Sequence, residues 1–149
     1  MDKEWALLTA GSKDNYNTMT VSWGGFGTLW SKPVVTVYVK PIRYTFNYLE
    51  NNDYFTLSFY DESFKKDLGV LGSKSGRDLD KIVLTNLEPE FIDKSISFKQ
   101  ALITIVCKKI YSQDLDIENI PREAIEQSYK IEQVHRMYIG EVVKIIDKR

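Results

Sequence analysis

The sequence of 149 residues predicts a mainly β protein with short helices, built as a closed β-barrel with helical connections. Three observations predict it. Stretches that alternate apolar and polar residues, or run β-branched, recur along the chain at strand length. Aromatic residues make up 13% of the chain, with 9 Tyr, 7 Phe and 3 Trp, and rings pack well on pleated surfaces. The helical patterns between these stretches are short enough to be connections.

Taken in order, Thr18 to Trp23 alternates and reads as a strand. The glycines of "WGGFG" that follow read as a tight strand corner. Its rings belong either to the core or to a wall for a flat ligand, whose edge bare backbone can approach because no Cβ intervenes. "VVTVYV", Val34 to Val39, is a more deeply buried strand ended by Pro41. Arg43 to Asn52 is a short helix running into a polar turn, and Tyr54 to Tyr60 is the next strand. Asp61 to Gly72 is a helix with glycine at its end. "SKSGRDLDKI" is a polar loop entering a short turn, and Ser95 to Tyr111 is one long or broken strand. Gln113 to Gln133 is an acidic excursion with one helix from Pro121, and Val134 to Ile146 closes the chain as a strand. No repeat or boundary divides the sequence, so residues 1–149 read as one domain, a length that buries about 68–70% of the unfolded surface.

Composition excludes several classes. Twenty Lys and Arg stand against 21 Asp and Glu, so the formal charge of −1 argues against nucleic acid as a partner. No apolar stretch approaches the roughly 20 residues that span a bilayer, and Asp2-Lys3-Glu4 do not open a secretory signal. One cysteine staples nothing; Cys107, in "ITIVCKK", reads as a buried inert thiol. The expectation is a cytoplasmic domain without metal or membrane partner.

Two glycine motifs are decoys. "GVLGSKSG" lacks the glycine that a phosphate loop needs directly before its lysine, and no Gly-x-Gly-x-x-Gly spacing follows "WGGFG". His135 is the one histidine, so it is either structural or the centre of whatever imidazole chemistry occurs. No pair of carboxylates stands out for hydrolysis. Two stretches suit an anion better. "PIRYTF" sets Arg43, Tyr44 and Thr45 where a strand ends and a helix starts, and "GSKSGRDLDK" offers hydroxyls, three cations and the open backbone of Gly76.

Together these residues resemble the flavin reductase-like family of FMN-binding split barrels, its flavoredoxin-like members most of all. The matching blocks are "NTMTVSWGG", "LWSKPVVTVYVKPIRYTF", "FTLSFYDE", "GSKSGRDLDK", "CKKIY" and "HRMYIGEV", in that order, from Asn17 to Val142. The resemblance implies a homodimer of six-stranded antiparallel split barrels with non-covalent FMN near the dimer interface. It places Asn17, Thr18, Met19, Thr20, Ser22 and Trp23 along the flavin ring. Arg43, Tyr44, Thr45, Ser73, Ser75, Gly76 and Arg77 would cradle the phosphate, with Lys81 reaching ring or phosphate and His135 near the flavin. Lys74 adds compensating charge for a dianion. The implied activity is an oxidoreductase taking hydride from NAD(P)H to FMN and on to a flavin, an iron complex or a redox-protein partner. The alternative is an FMN-binding electron carrier without NAD(P)H turnover. Trp23 and Trp30, flanking one glycine corner, are more apolar surface than a monomer exposes and point independently to a dimer.

Overall fold

A computed structural model of the chain describes residues 1–130 and 133–149; the last part of the expected 113–133 excursion, residues 131–132, lies outside the described residues. The strands are β1 (Ala6–Ser12), β2 (Asn15–Val21), β3 (Gly24–Leu29), β4 (Lys32–Val39), β5 (Tyr54–Phe59), β6 (Pro89–Ile92), β7 (Ser95–Phe98), β8 (Ile103–Asp114) and β9 (Arg136–Asp147). The helices are α1 (Tyr44–Asn51), α2 (Lys65–Ser73) and α3 (Arg122–Ser128).

Seven strands form one antiparallel sheet in the order β2-β1-β5-β8-β9-β4-β3, and β6 and β7 make a separate hairpin. The two edges of the large sheet, β2 and β3, are consecutive in sequence and joined only by Ser22 and Trp23. Three Cα steps span at most about 11 Å. Edges that far apart in strand order can meet over such a link only if the sheet curls round on itself, so the connectivity alone makes it a barrel. Gly24 turns the seam with φ of +151°, and a Cβ there would fall 2.3 Å from the Thr36 carbonyl oxygen.

The barrel interior holds Leu8, Val35, Val37, Val39, Phe55, Leu57 and Tyr138 among its buried side chains. A second cluster lies outside the sheet, where Leu7 of β1 meets Leu68 and Leu71 of α2 with Leu87 and Phe98. Strand β1 is therefore covered on both faces. Its run of apolar residues lacks alternation for that reason, and the pattern reading passed it over. Between β5, β7 and β8, a buried hydroxyl network of Ser58, Ser97 and Thr104 (2.7–3.2 Å) lets polar side chains sit inside.

The other departures from expectation have local causes. The main sheet has seven strands against an expected six. The glycine-rich stretch is not a corner but edge strand β3, in register with β4 from Gly24 opposite Val37 to Leu29 opposite Lys32. Trp30 and Ser31 then make the two-residue hairpin turn, both with positive φ (51° and 58°). Trp23 and Trp30 thus sit at opposite ends of a six-residue strand, on the order of 20 Å apart, instead of at one corner. Ser95 to Tyr111 is broken into β7 and β8, in different sheets, by the turn that Ala101 N–H closes on the Phe98 carbonyl. A 3-10 turn at Glu62–Phe64, capped by the Asp61 carboxylate, precedes α2.

The far end of α1 is anchored to β9. The Glu50 carboxylate accepts from the buried Tyr138 hydroxyl (2.6 Å) and from Arg136 (2.9 Å), whose guanidinium also forks onto Asp114. Burial alone would raise the Glu50 carboxyl, but these hydrogen bonds hold it below its ordinary range. The near end of α1 is thereby fixed at the site described next. Cys107 is buried in β8, and burial pushes its thiol up to about 12.

Candidate functional site

A cleft of about 800 Å³ opens beside the barrel seam. That volume is in the range of small-molecule sites, roughly 300–1,000 Å³. Its floor is the end of β2 and the seam itself, with Asn17, Met19, Thr20, Ser22 and Trp23 all lining it.

One end is built from the start of α1 and the end of α2. Arg43, Tyr44 and Thr45 face Ser73, Lys74, Ser75 and Gly76 across it. Helix α1 carries no side-chain cap at its N-terminus, where Phe46 N–H bonds back to the Arg43 carbonyl (3.0 Å). At the C-terminus of α2 it is carbonyls that lack intrahelical donors. Arg43 donates from Nη2 to the Gly72 oxygen (2.9 Å), and Lys81 donates from Nζ to the Leu71 (2.8 Å) and Lys74 (3.0 Å) oxygens. Lys81 is buried, and that burial, reinforced by the charge of Arg43, brings its ammonium down to about 8. Asn17 donates to the Thr45 hydroxyl (2.7 Å), and Gly76 lies so close that a Cβ there would be 2.1 Å from the Asn17 Oδ1. Only glycine lets the loop backbone settle onto Asn17 at this point.

The opposite end is made by side chains. Trp23 and His135 rings lie 5.2 Å apart at 50°, and the Tyr129 hydroxyl is 2.6 Å from His135 Nδ1. Lys40, from the turn after β4, donates to the Ser128 carbonyl (2.9 Å) while its ammonium lies 5.4 Å over the Tyr129 ring. The end of α3 thus forms the wall here.

Of the residues singled out from sequence, the cleft gathers Asn17, Met19, Thr20, Ser22, Trp23, Arg43, Tyr44, Thr45, Ser73, Ser75, Gly76, Lys81 and His135. Thr18 and Arg77 do not line it. The Thr18 side chain is buried under β1, bonded to the Thr9 hydroxyl (2.9 Å) and the Leu8 carbonyl. Arg77 is exposed, its guanidinium 5.1 Å over the outer Tyr44 ring. Among those missed by sequence were Tyr38, Lys40 and the α3 residues Glu126, Gln127 and Ser128. For the first two a signal existed. Val35, Val37 and Val39 face inward, so Tyr38 and Lys40 had to lie on the other face of the strand. Among the described lining residues, Lys40, Arg43, Lys74, Lys81 and Lys130 oppose Glu126 alone, so the cleft is basic in a chain of formal charge −1. Chemically, the arrangement suits an elongated ligand, anionic at the α1–α2 end and flat toward Trp23.

The model of the flavin reductase like domain family matches residues 1–148. Among solved structures, a flavoredoxin from Methanosarcina acetivorans superposes with a TM-score of 0.75 at 19% identity, covering 97% of this chain and 68% of that one. An FMN-binding protein from Thermus thermophilus, solved with 1-cyclohex-2-enone, gives 0.77 at 18% identity over 97% and 70%. A protein from Shewanella frigidimarina, assigned as a flavin reductase with a split barrel domain, gives 0.76 at 18% identity over 97% and 66%. At these identities the likeness is one of fold. No curated protein sequence matches the chain.

Proposed function

The chain belongs to the flavin reductase-like domain family, and from that premise we propose that it is an FMN-dependent oxidoreductase, one domain over residues 1–149. It takes hydride from NAD(P)H to FMN and passes electrons to a flavin, an iron complex or a protein acceptor. One observation carries the reading. A single cleft joins an aromatic seam to a basic end where two helix termini meet, and FMN is flat at one end and dianionic at the other.

FMN, when bound, supplies the hydride and electron chemistry. The protein's part is to bind, orient and keep water away. Arg43 already has one arm on Gly72, so it meets the phosphate as a held cation, alongside Thr45, Ser73, Ser75 and the open backbone at Gly76. Arg77, over Tyr44, shields that end from solvent. Asn17, Met19, Thr20, Ser22 and Trp23 set the plane of the ring, with Thr18 confined to its backbone. Lys81 holds the loop on which the phosphate rests. The exposed Trp23, Phe26 and Trp30 support a homodimer, and the basic cleft serves small nucleotides; a cytoplasmic setting fits the single reduced cysteine.

The test is anaerobic mixing of the FMN-loaded protein with NADH and with NADPH while the flavin absorbance is followed. Bleaching over many turnovers when acceptor is present supports the oxidoreductase. Slow or absent bleaching of a firmly bound flavin leaves an electron carrier. Protein that takes up no FMN removes both.

A further inference from the structure

Among the described residues Lys81 is the one buried lysine, and it lines the cleft. The 3-10 turn that carries it, Lys81–Leu84, is inside out: Val83 and Leu84 are exposed while the charged residue is covered. A buried cation is costly unless it is paired. Yet the partners of this ammonium are two neutral carbonyls, those of Leu71 (2.8 Å) and Lys74 (3.0 Å). Around it stand Arg43 at the start of α1, Lys74 in the loop, Asp67 of α2, Asp80 before the turn, and Tyr16 of β2 near Asp80. The Asp67 carboxylate accepts from Asn86 (3.5 Å), and that of Asp80 from Ile82 N–H (3.2 Å). No carboxylate is bonded to Lys81 among the described residues, and the charge that acts on it is the like charge of Arg43. Lys81 therefore lacks a counter-charge, which an anion at the α1–α2 end would supply.

We infer that FMN uptake by this cleft is coupled to the proton on Lys81: the dianionic phosphate binds the form in which this lysine is charged, so affinity for FMN falls as the solution turns alkaline while affinity for riboflavin does not. The inference rests on the flavin reading above. Lys81 acts as a positioning residue and needs no contact with the ligand, because charges interact well beyond hydrogen-bond distance where little water intervenes. Burial and the repulsion of Arg43 already bring the ammonium down to about 8. Loss of the proton removes the charge and keeps the fold, since a neutral amine retains two hydrogens for its two carbonyls. Arg43 stays charged throughout, and a phosphate monoester is dianionic from a pH of about 7 upward. Neither therefore changes charge over the range in which Lys81 does.

Titration of flavin-free protein with FMN and with riboflavin, along a pH series from about 7 to about 9.5, tests the coupling. The FMN dissociation constant is expected to rise about tenfold between a pH of about 7.5 and about 9.5, the scale of one proton linked to binding, with riboflavin affinity held within about twofold. Calorimetry at a pH of about 8.5, in two buffers of different ionisation heat, should show proton uptake with FMN and none with riboflavin. In Lys81→Met the FMN profile should be level and the proton uptake gone. Lys81→Arg, whose charge does not titrate in this range, should also give a level profile, at higher affinity than Lys81→Met. A level FMN profile in the wild type overturns the inference, as does one that riboflavin follows or that Lys81→Met retains. A wild type that takes up no FMN at any of these pH values overturns the flavin reading, and the inference with it, and the missing binding tells that result from a level profile.

Discussion

The two ends of the cleft are held by different means. At the α1–α2 end, charged side chains grip main-chain carbonyls: Arg43 on Gly72, and Lys81 on Leu71 and Lys74. At the α3 end, ring meets ring and one hydroxyl meets one imidazole, and Lys40 grips the Ser128 carbonyl. The first is fastened to the helix ladder, so on the proposed reading its residues would serve stability as well as binding. The second rests on side-chain packing, so its residues should be the more easily altered without unsettling the barrel.

Arg43 gives the hardest test of that contrast. Arg43→Ala should weaken FMN binding about ten- to hundredfold, as expected for loss of a charge-assisted contact of roughly 1.5–3 kcal/mol. Riboflavin should lose less, since it lacks the phosphate. Because Gly72 loses its donor too, the flavin-free protein should also melt a few degrees lower. Titrating both ligands and melting both proteins checks it, and an unmoved melting temperature would break the claim that binding and stability share this residue.

Lys81→Met comes next. It leaves the Leu71 and Lys74 carbonyls without their ammonium donor, which should cost about 2 kcal/mol and lower the melting temperature by roughly 4–8 °C. The difference should also depend on pH. The buried ammonium has a pKa of about 8 in the folded protein against an ordinary 10.5. Between these values the unfolded chain binds the proton that the folded one has released. Stability from this group therefore rises with pH across that window, and the wild type should gain on the variant from pH 8 upward. Thermal melts of flavin-free protein along a pH series measure this, and a gap that narrows instead would contradict it.

The smallest effect belongs to the other end. Lys40→Met removes one carbonyl contact and a cation–ring contact from a half-buried side chain whose surroundings water can re-solvate, so melting should fall by less than in Lys81→Met. FMN affinity should stay within about threefold while reduction by NADH slows. If stability fell as far as in Lys81→Met, the contrast between the ends would fail.

Much of this cleft was legible because residues that line it together are close in sequence. Thr18 to Trp23, Arg43 to Thr45 and Ser73 to Gly76 are three short runs, and each shows its chemistry locally. Legibility ended where pairing, not pattern, decides. Strand β3 has glycines that disfavour strands, yet β4 gives it partners along its whole length. Its hairpin turn uses Trp30 and Ser31 where Asn-Gly would have announced it. Thr18 looks like its neighbours, but a strand alternates, and its hydroxyl is bound to Thr9 on β1. Tyr129 and Lys40 meet across most of the chain, and no spacing rule links them.

The order of the strands also sets a timetable. Strand β4 pairs with β9, Val34 opposite Glu141, so the early β3–β4 hairpin has no neighbour on that side until the C-terminal strand exists. On a ribosome it must wait, its apolar face uncovered, while almost all the remaining chain is synthesised. His135 stands immediately before β9 and arrives with it. A nascent chain released short of that strand would lose barrel closure and the histidine wall of the cleft in the same event.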